Sequence, residues 1–185
     1  GASDVLNYNV VNTDTAGAAA VGTMTTLTAT GFETINLDVS KTSGADTGDT
    51  LAITTLADAQ LTALKITGAN STHLTLSTLG GTSTESIDAT GFSGNLSLGA
   101  AGGLTTAVGG ATIKTGAGND TIGFNITSQV LNAINAGDGN DTLNLFGTTT
   151  AASTSTLIDL AEADQVGTLN GVSNAAVQTG FRDIN

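Results

Sequence analysis

One pattern occurs twice near the middle of the chain and constrains its fold more than any other feature. It covers residues 116–122 (GAGNDTI) and 137–143 (GDGNDTL), so that Asp120 and Asp141 are 21 residues apart. Two strands of about five or six residues, with a turn after each, fill such a length. The spacing therefore predicts one coil of a β-solenoid, with the second pattern lying on the first at a strand spacing of about 4.8 Å.

The residue types in the pattern suit calcium. Glycine permits positive φ and lets backbone carbonyls turn inward, and Asn and Asp tolerate the same tight turns. Ca²⁺ takes about six to eight oxygen ligands, whereas two stacked carboxylates with no cation between them repel each other. We therefore predict a Ca²⁺ site formed by the two turns, with the candidate ligands Gly116, Gly118, Asn119, Asp120, Gly137, Asp138, Gly139, Asn140 and Asp141. The alternative is that Gly-Asn-Asp only makes a good turn, without a metal.

A known family shares this pattern. Residues 115–123 (TGAGNDTIG) and 136–144 (AGDGNDTLN) resemble the RTX nonapeptide G-G-x-G-x-D-x-U-x, whose turns bind Ca²⁺ and lead into a parallel β-roll. Thr115 and Ala136 replace the first glycine, and the spacing of 21 is not a multiple of nine. The resemblance implies an all-β, right-handed parallel β-helix or β-roll solenoid with calcium-binding turns on one side.

Further candidate ligands lie in the first third of the chain. Residues 1–8 (GASDVLNY) align with GNDTLNLF of the second motif, which places Asp4 on Asp141. Residues 44–51 (GADTGDTL) keep the D-T-L of the motif and offer Asp46 and Asp49. For residues 44–51 an acidic hairpin loop without metal is the alternative.

Composition supports a solenoid rather than a globular sandwich. The chain has 185 residues with no Cys, Pro or Trp, 25 Gly and only 3% aromatic residues, so the large aromatic anchors of a globular core are missing. A solenoid interior can instead be filled by stacked Leu, Ile, Val, Ala and Thr. We predict one solenoid domain over 1–185. Because the pattern is cut at both ends, we expect the chain to be a piece of a longer protein.

Net charge restricts the partners. Sixteen acids against four bases give −12, which argues against nucleic acid or an anionic membrane as a direct partner. No membrane-inserting segment is predicted. The scattered Asp14, Asp58 and Asp88 are expected on the solvated surface. No enzyme is predicted, because the single His73 has no evident nucleophile and orienting acid to work with.

Alternating apolar residues predict most of the strands. They indicate strands at 5–11, 63–67, 73–77, 86–89 and 95–98. A spacing of about ten residues gives two strands per coil and roughly eight coils. A short helical turn is expected within 55–64 and a helix over 157–164. A repeated T-G-F element, at 30–32, 90–92 and 179–181, predicts a corner with Phe packed inward.

The family resemblance implies a structural function. We expect a component of a bacterial surface (S-layer) protein, exported by type I secretion and folded by extracellular Ca²⁺, which self-associates into a lattice. The alternatives are a β-helical adhesin or carbohydrate-binding segment with a cell-surface polysaccharide as partner, and a support domain of a secreted RTX hydrolase. An exposed ladder of aromatic, Asn or Asp side chains along one face would favour the carbohydrate-binding alternative.

Overall fold

A computed structural model describes residues 3–14, 17, 19–42, 48–68, 73–79, 86–99, 104, 111–125, 131–146, 178–179 and 181–184. The secondary structure of these residues is all β. The strands are β1 (Val5–Asn12), β2 (Val21–Thr28), β3 (Thr34–Lys41), β4 (Thr50–Ala57), β5 (Ala63–Gly68), β6 (His73–Leu79), β7 (Ser86–Phe92), β8 (Leu96–Leu98), β9 (Ala111–Lys114), β10 (Thr121–Asn125), β11 (Leu131–Asn135), β12 (Asp141–Phe146), β13 (Gln178–Thr179) and β14 (Phe181–Ile184).

The strands form two parallel sheets that the chain visits in turn. The first sheet has the order β1-β3-β5-β7-β9-β11-β13, and the second has the order β14-β12-β10-β8-β6-β4-β2. Each strand therefore pairs with the next strand but one along the chain. This is the β-solenoid predicted from the motif spacing, with two strands per coil and seven described strands in each sheet, against the roughly eight coils expected.

The core lies between the sheets and is built from ladders of aliphatic side chains. Strand residues alternate between the core and the outside, so stacked coils place like residues above one another. One ladder joins Leu6, Ile35, Leu64, Ile87, Ile113 and Ile134 in the first sheet. Another joins Met24, Ile53, Leu76, Leu98, Ile122 and Leu143 in the second. Each fully buried aliphatic side chain contributes about 1.5 to 3 kcal/mol to folding.

Coil length changes along the solenoid while strand pairing continues. Paired residues are 29 apart in the early coils, as in Thr34 and Ala63. They are 21 apart between the two motifs, as in Thr121 and Thr142. The pairing of Leu143 with Ile184 spans 41 residues. The loops absorb these differences, because closing a longer surface loop adds little entropy cost.

The helical turn predicted within 55–64 is wrong. Strand β4 continues to Ala57, and the corner that follows is made by Asp58, whose Oδ1 accepts a hydrogen bond from the Gln60 amide at 3.0 Å. The expected surface position of Asp58 is also wrong, because only 3% of the residue is exposed. The helix predicted over 157–164 lies outside the described residues.

The T-G-F repeat is used in the same register at both ends of the chain. Thr34, four residues after Thr30, pairs with Val5. Asp183, four residues after Thr179, pairs in the same way with Thr142, the residue that aligns with Val5. Gly31 has a φ of 87°, and the Phe32 amide donates to Asp58 Oδ2 at 3.0 Å. Phe32 packs against the core, and Phe92 is buried. Thr90, Gly91 and Phe92 lie within β7, so the corner predicted for this copy is wrong. At the two ends of the chain, the repeat leads into a strand that pairs with the strand beginning just after Ser3-Asp4 or at Asp141.

Candidate metal centre in the motif turns

The two motif turns stack directly on each other, as their spacing predicts. Ala117 and Asp138 form an isolated parallel bridge. The Gly118 amide donates to the Asp138 carbonyl, and the Asp138 amide donates to the Gly116 carbonyl, both at 3.0 Å. Backbone hydrogen bonds thus continue from the strands through the turns.

The motif glycines are required by this close approach. Gly137 has φ 74° and Gly139 has φ 144°, a region that side-chain-bearing residues rarely adopt. A Cβ on Gly139 would lie 1.7 Å from the Gly118 carbonyl oxygen, and one on Gly137 would lie 2.0 Å from the Gly116 oxygen. Each coil can rest on the coil below only where these Cβ atoms are absent.

The aspartates of the motif reach back to the preceding coil. Asp120 and Asp141 are 1% and 0% exposed. Asp141 Oδ1 accepts the Asp120 amide at 2.7 Å, and Asp120 Oδ1 accepts the Leu96 amide at 2.8 Å. Each carboxylate therefore satisfies a backbone donor that would otherwise be buried without a partner.

The asparagines of the motif make the opposite connection, to the following coil. Asn119 Oδ1 accepts the Asn140 amide at 2.9 Å, and Asn95 Oδ1 accepts the Asn119 amide at 2.8 Å. The row continues to His73, whose Nδ1 accepts the Asn95 amide at 3.1 Å. The Gly118-Asn119-Asp120 turn is thus bonded to the coils on both sides.

Asn95 and His73 belong to this corner but were missed in the sequence. The turn Gly94-Asn95-Leu96 lies beneath Gly118-Asn119-Asp120, with Leu96 where the motif has Asp. Gly-Asn followed by Leu-Ser-Leu was the available indication. Ser97 and Leu98 are chemically similar to the Thr and Ile of the first motif, and only Leu96 differs in character from the motif aspartate. The acid is dispensable at this level because the Leu74 amide of the coil below, which an acid at position 96 would bind, donates to the Asn95 carbonyl at 3.0 Å instead.

Asp120 is left with an unsatisfied oxygen. Its Oδ2 is buried and accepts no hydrogen bond in the described part of the chain. Burial raises the pKa of Asp120 above its ordinary value, although the Leu96 amide opposes the rise. The neighbouring Thr115 hydroxyl would also lower this pKa by donating to the carboxylate, but its single proton goes to the Ala136 carbonyl at 2.6 Å. The charged form of Asp120 is therefore poorly compensated by the protein alone.

The other candidate ligands are not gathered at this site. Asp4 is exposed, and its amide donates to Glu33 Oε2 at 2.7 Å. Asp49 is 3% exposed, accepts the Ala20 amide at 2.8 Å and accepts Asn12 Nδ2. These bonds, led by the Ala20 amide, lower the pKa of Asp49. Asp46 lies outside the described residues. Asp138 and Asn140 are exposed beside the stacked turns.

The donor set of the motif turns fits a hard cation, although it is small. No three His, Cys, Asp or Glu side chains in the described ranges come together where a metal could bind. The turns instead offer the Asp120 Oδ2 atom together with Asp141 and backbone carbonyls, all of them oxygen ligands of the kind Ca²⁺ takes. The predicted Ca²⁺ site stays a prediction.

No protein-family model matches the chain, and no characterised protein or solved structure is similar enough to count as a relative. None of the described residues forms a helix long and apolar enough to cross a bilayer.

Proposed function

We propose that this chain is a structural segment of a secreted bacterial surface protein, of the RTX-like S-layer kind, and that Ca²⁺ bound at the stacked motif turns stabilises its fold. The observation that carries the proposal is the buried Asp120 Oδ2, which has no hydrogen-bond partner among the described residues. A buried, uncompensated carboxylate is costly, and a cation removes that cost.

Asp120, Asp141 and the carbonyls of the glycine turns would hold the ion. A bound Ca²⁺ supplies positive charge and additional oxygen coordination at this point of the coil stack. Since it binds the folded chain and not the unfolded one, its binding free energy adds to the stability of the fold.

This coupling gives the acidic composition a role in export. Where Ca²⁺ is scarce, the charge of Asp120 opposes folding, and the net charge of −12 adds general repulsion within the compact state. Where Ca²⁺ is plentiful, the solenoid becomes stable. Further ions between acidic turns of neighbouring copies would then support assembly into a surface lattice.

Thermal unfolding followed by circular dichroism tests the proposal. The chain is melted in excess EGTA and in millimolar Ca²⁺, alone and as Asp120→Asn. The asparagine keeps an oxygen for the Leu96 amide but lacks the charge. We expect Ca²⁺ to raise the Tm of the original chain by about 4 °C or more, the upper end of the shift that about 1 kcal/mol gives in a domain of roughly 150–250 residues, and to leave Asp120→Asn almost unchanged.

Asp58→Asn is the matched control. Asp58 is as buried as Asp49, but both of its oxygens accept backbone amides, from Gln60 and Phe32. Its substitution should lower stability in both buffers while leaving the Ca²⁺ response intact. Equal melts of the original chain in EGTA and Ca²⁺ would contradict the metal site and leave the motif as turn chemistry.

A further inference from the structure

The outer face of the second sheet carries almost no charge from β2 to β12, although the chain as a whole is strongly acidic; the charged Arg182 and Asp183 lie in β14 at the end of this sheet. In the six strands β2, β4, β6, β8, β10 and β12 of the second sheet, the only ionisable residues are His73 and Asp141. Asp141 points inward and is 0% exposed. The outer face of these strands is therefore neutral apart from one imidazole.

Two rows of polar side chains run along this face, one coil apart at each step. The amide row consists of His73, Asn95, Asn119 and Asn140. The hydroxyl row consists of Thr75, Ser97, Thr121 and Thr142, which are paired in register in β6, β8, β10 and β12. At each coil, the member of the amide row lies two positions before the member of the hydroxyl row, with one residue between them.

A groove of about 210 Å³ follows these rows. Its polar walls come from both rows, and the buried Leu74 and Leu96 contribute to its floor. It touches residues of β4, β6, β8 and β10, so it crosses three strand spacings, a length of roughly 14 Å. Its long direction is that of the solenoid axis.

The amide row has a fixed polarity. The Oδ1 atoms of Asn95 and Asn119 accept backbone amides of the next coil, and His73 Nδ1 does the same. The side chains are therefore held with their N–H groups, Nδ2 of the asparagines and Nε2 of His73, away from those bonds. Within the described residues, no protein acceptor takes the Nδ2 hydrogens of Asn95 or Asn119. The row offers N–H donors at regular intervals, beside hydroxyls that can donate or accept.

We propose that this groove binds a neutral polysaccharide, with its chain lying along the solenoid axis. A row of oriented N–H donors suits the hydroxyl, ring and acyl oxygens of an extended sugar polymer, and the hydroxyl row suits its hydroxyl groups. The neutral face avoids the desolvation of charged groups on binding, and the net charge of −12 repels acidic polymers. The proposal gives a site to the carbohydrate-binding alternative, and it does not depend on Ca²⁺ binding.

The first sheet lacks these properties and serves as an internal reference. Its outer face stacks Lys65, Asp88 and Lys114 in one row. Near its beginning, Asn36 Nδ2 donates to Asn7 Oδ1 at 2.7 Å, so an asparagine donor there is used within the protein.

Isothermal titration calorimetry with neutral hexasaccharides tests the site. The probes are cellohexaose, chitohexaose, laminarihexaose, maltohexaose and mannohexaose, with hexagalacturonate as the acidic counterpart, all in millimolar Ca²⁺. We expect at least one neutral probe to bind, and hexagalacturonate to bind at least about tenfold more weakly, because the groove lining, among the described residues, contains no Lys or Arg to pair with its carboxylates.

Three variants locate the binding. Asn95→Asp keeps an oxygen for the Asn119 amide but replaces the outward donor with a negative oxygen, and should weaken the neutral probe by about tenfold or more. Asn7→Asp adds the same charge on the first sheet, keeps its acceptor for Asn36, and should change the affinity less than twofold. Ser97→Ala removes one hydroxyl of the groove and should weaken binding by about threefold to tenfold, which covers the case in which Asn95→Asp does not fold.

The proposal is overturned if none of the neutral probes binds, if hexagalacturonate binds as tightly as they do, or if groove and control variants have the same affinity. Because the EGTA and Ca²⁺ melts are read separately, a failed titration leaves the calcium proposal standing, and equal melts leave the groove proposal standing.

Discussion

Asp49 and Asp120 are two buried aspartates of one solenoid with opposite electrostatic situations. Both are at most 3% exposed. Asp49, near the beginning of the solenoid, has one oxygen bonded to the Ala20 amide and the other to the Asn12 amide group, and its pKa is lowered. Asp120, in the motif, has one bonded oxygen and one without a partner in the described chain, and its pKa is raised.

The difference separates two uses of a buried carboxylate. At Asp49 the protein itself supplies the donors that the charge needs, so the residue acts as a clamp between a strand end and a loop. At Asp120 the protein supplies only part of the compensation, and something outside the chain is needed to complete it. Burial alone therefore does not identify a ligand-binding acid, whereas an unsatisfied oxygen is informative.

The largest expected effect comes from closing the space between the motif turns. Gly139→Ala would place a methyl group 1.7 Å from the Gly118 oxygen at a φ of 144°, and should cost about 3 kcal/mol or more or prevent folding. Gly22→Ala, in the early coil, has its nearest neighbour 3.9 Å away and should change the free energy of unfolding by less than about 1 kcal/mol. Urea unfolding of both variants checks this, and equal losses would contradict the stacked-turn geometry.

A second test uses pH in the presence of EGTA. The folded-state pKa of Asp120 is raised, so its stabilising contribution is present below its unfolded pKa and is lost as pH rises through the folded value. Asp120→Asn should therefore stabilise the chain at neutral pH by roughly 1 to 3 kcal/mol, and this gain should shrink as the pH falls toward the ordinary carboxyl range.

Asp49→Asn should behave in the opposite sense. Its folded-state pKa is lowered, so the charge stabilises the fold above the unfolded pKa, and this contribution is lost as pH falls through the folded value. The variant should be less stable than the original at neutral pH, with the deficit disappearing in acid. If both variants shift the Tm at neutral pH in the same direction, the contrast between the two aspartates is wrong.

The smallest effect is expected from the threonine that replaces a motif glycine. Thr115 is 2% exposed and bonds the Ala136 carbonyl, so Thr115→Val should cost about 1 to 2 kcal/mol by leaving that oxygen unsatisfied. Thr112→Val changes a half-buried position in β9, the strand that ends just before Thr115, and should be close to neutral. Comparison of the two urea midpoints measures the hydroxyl contribution, and equal midpoints would argue that the Thr115 bond adds nothing.

The solenoid was predictable because its requirements are local and repeated. Alternation predicted a strand at 73–77, which the structure has as His73–Leu79, and the 21-residue spacing predicted that Asp120 lies next to Asp141 across coils. The prediction for residues 55–64 failed because a run of Thr, Leu and Ala suits a helix or a strand, and only pairing with β2 and β6 decides between them.

The corner chemistry was only partly predictable. The motif identified Asn119 and Asp120 but not the direction in which each side chain bonds, because direction depends on which coil lies above and which below. Asp58 was expected in solvent because its partner amide, Phe32, is 26 residues away. Nothing in the sequence indicated that the His73 ring continues the asparagine row.

The bonds of the Gly-Asn-Asp turn have a consequence for how such chains change in length. Asn119 bonds forward and Asp120 bonds backward, so this turn presents to the coil above the same kind of interface that it requires from the coil below. A duplicated 21-residue segment could enter between the two motifs and leave the bonds of its neighbours unaltered. Copy number can thus drift through unequal recombination without a cost to coils already present, and each added copy would bring one more acid into the interior.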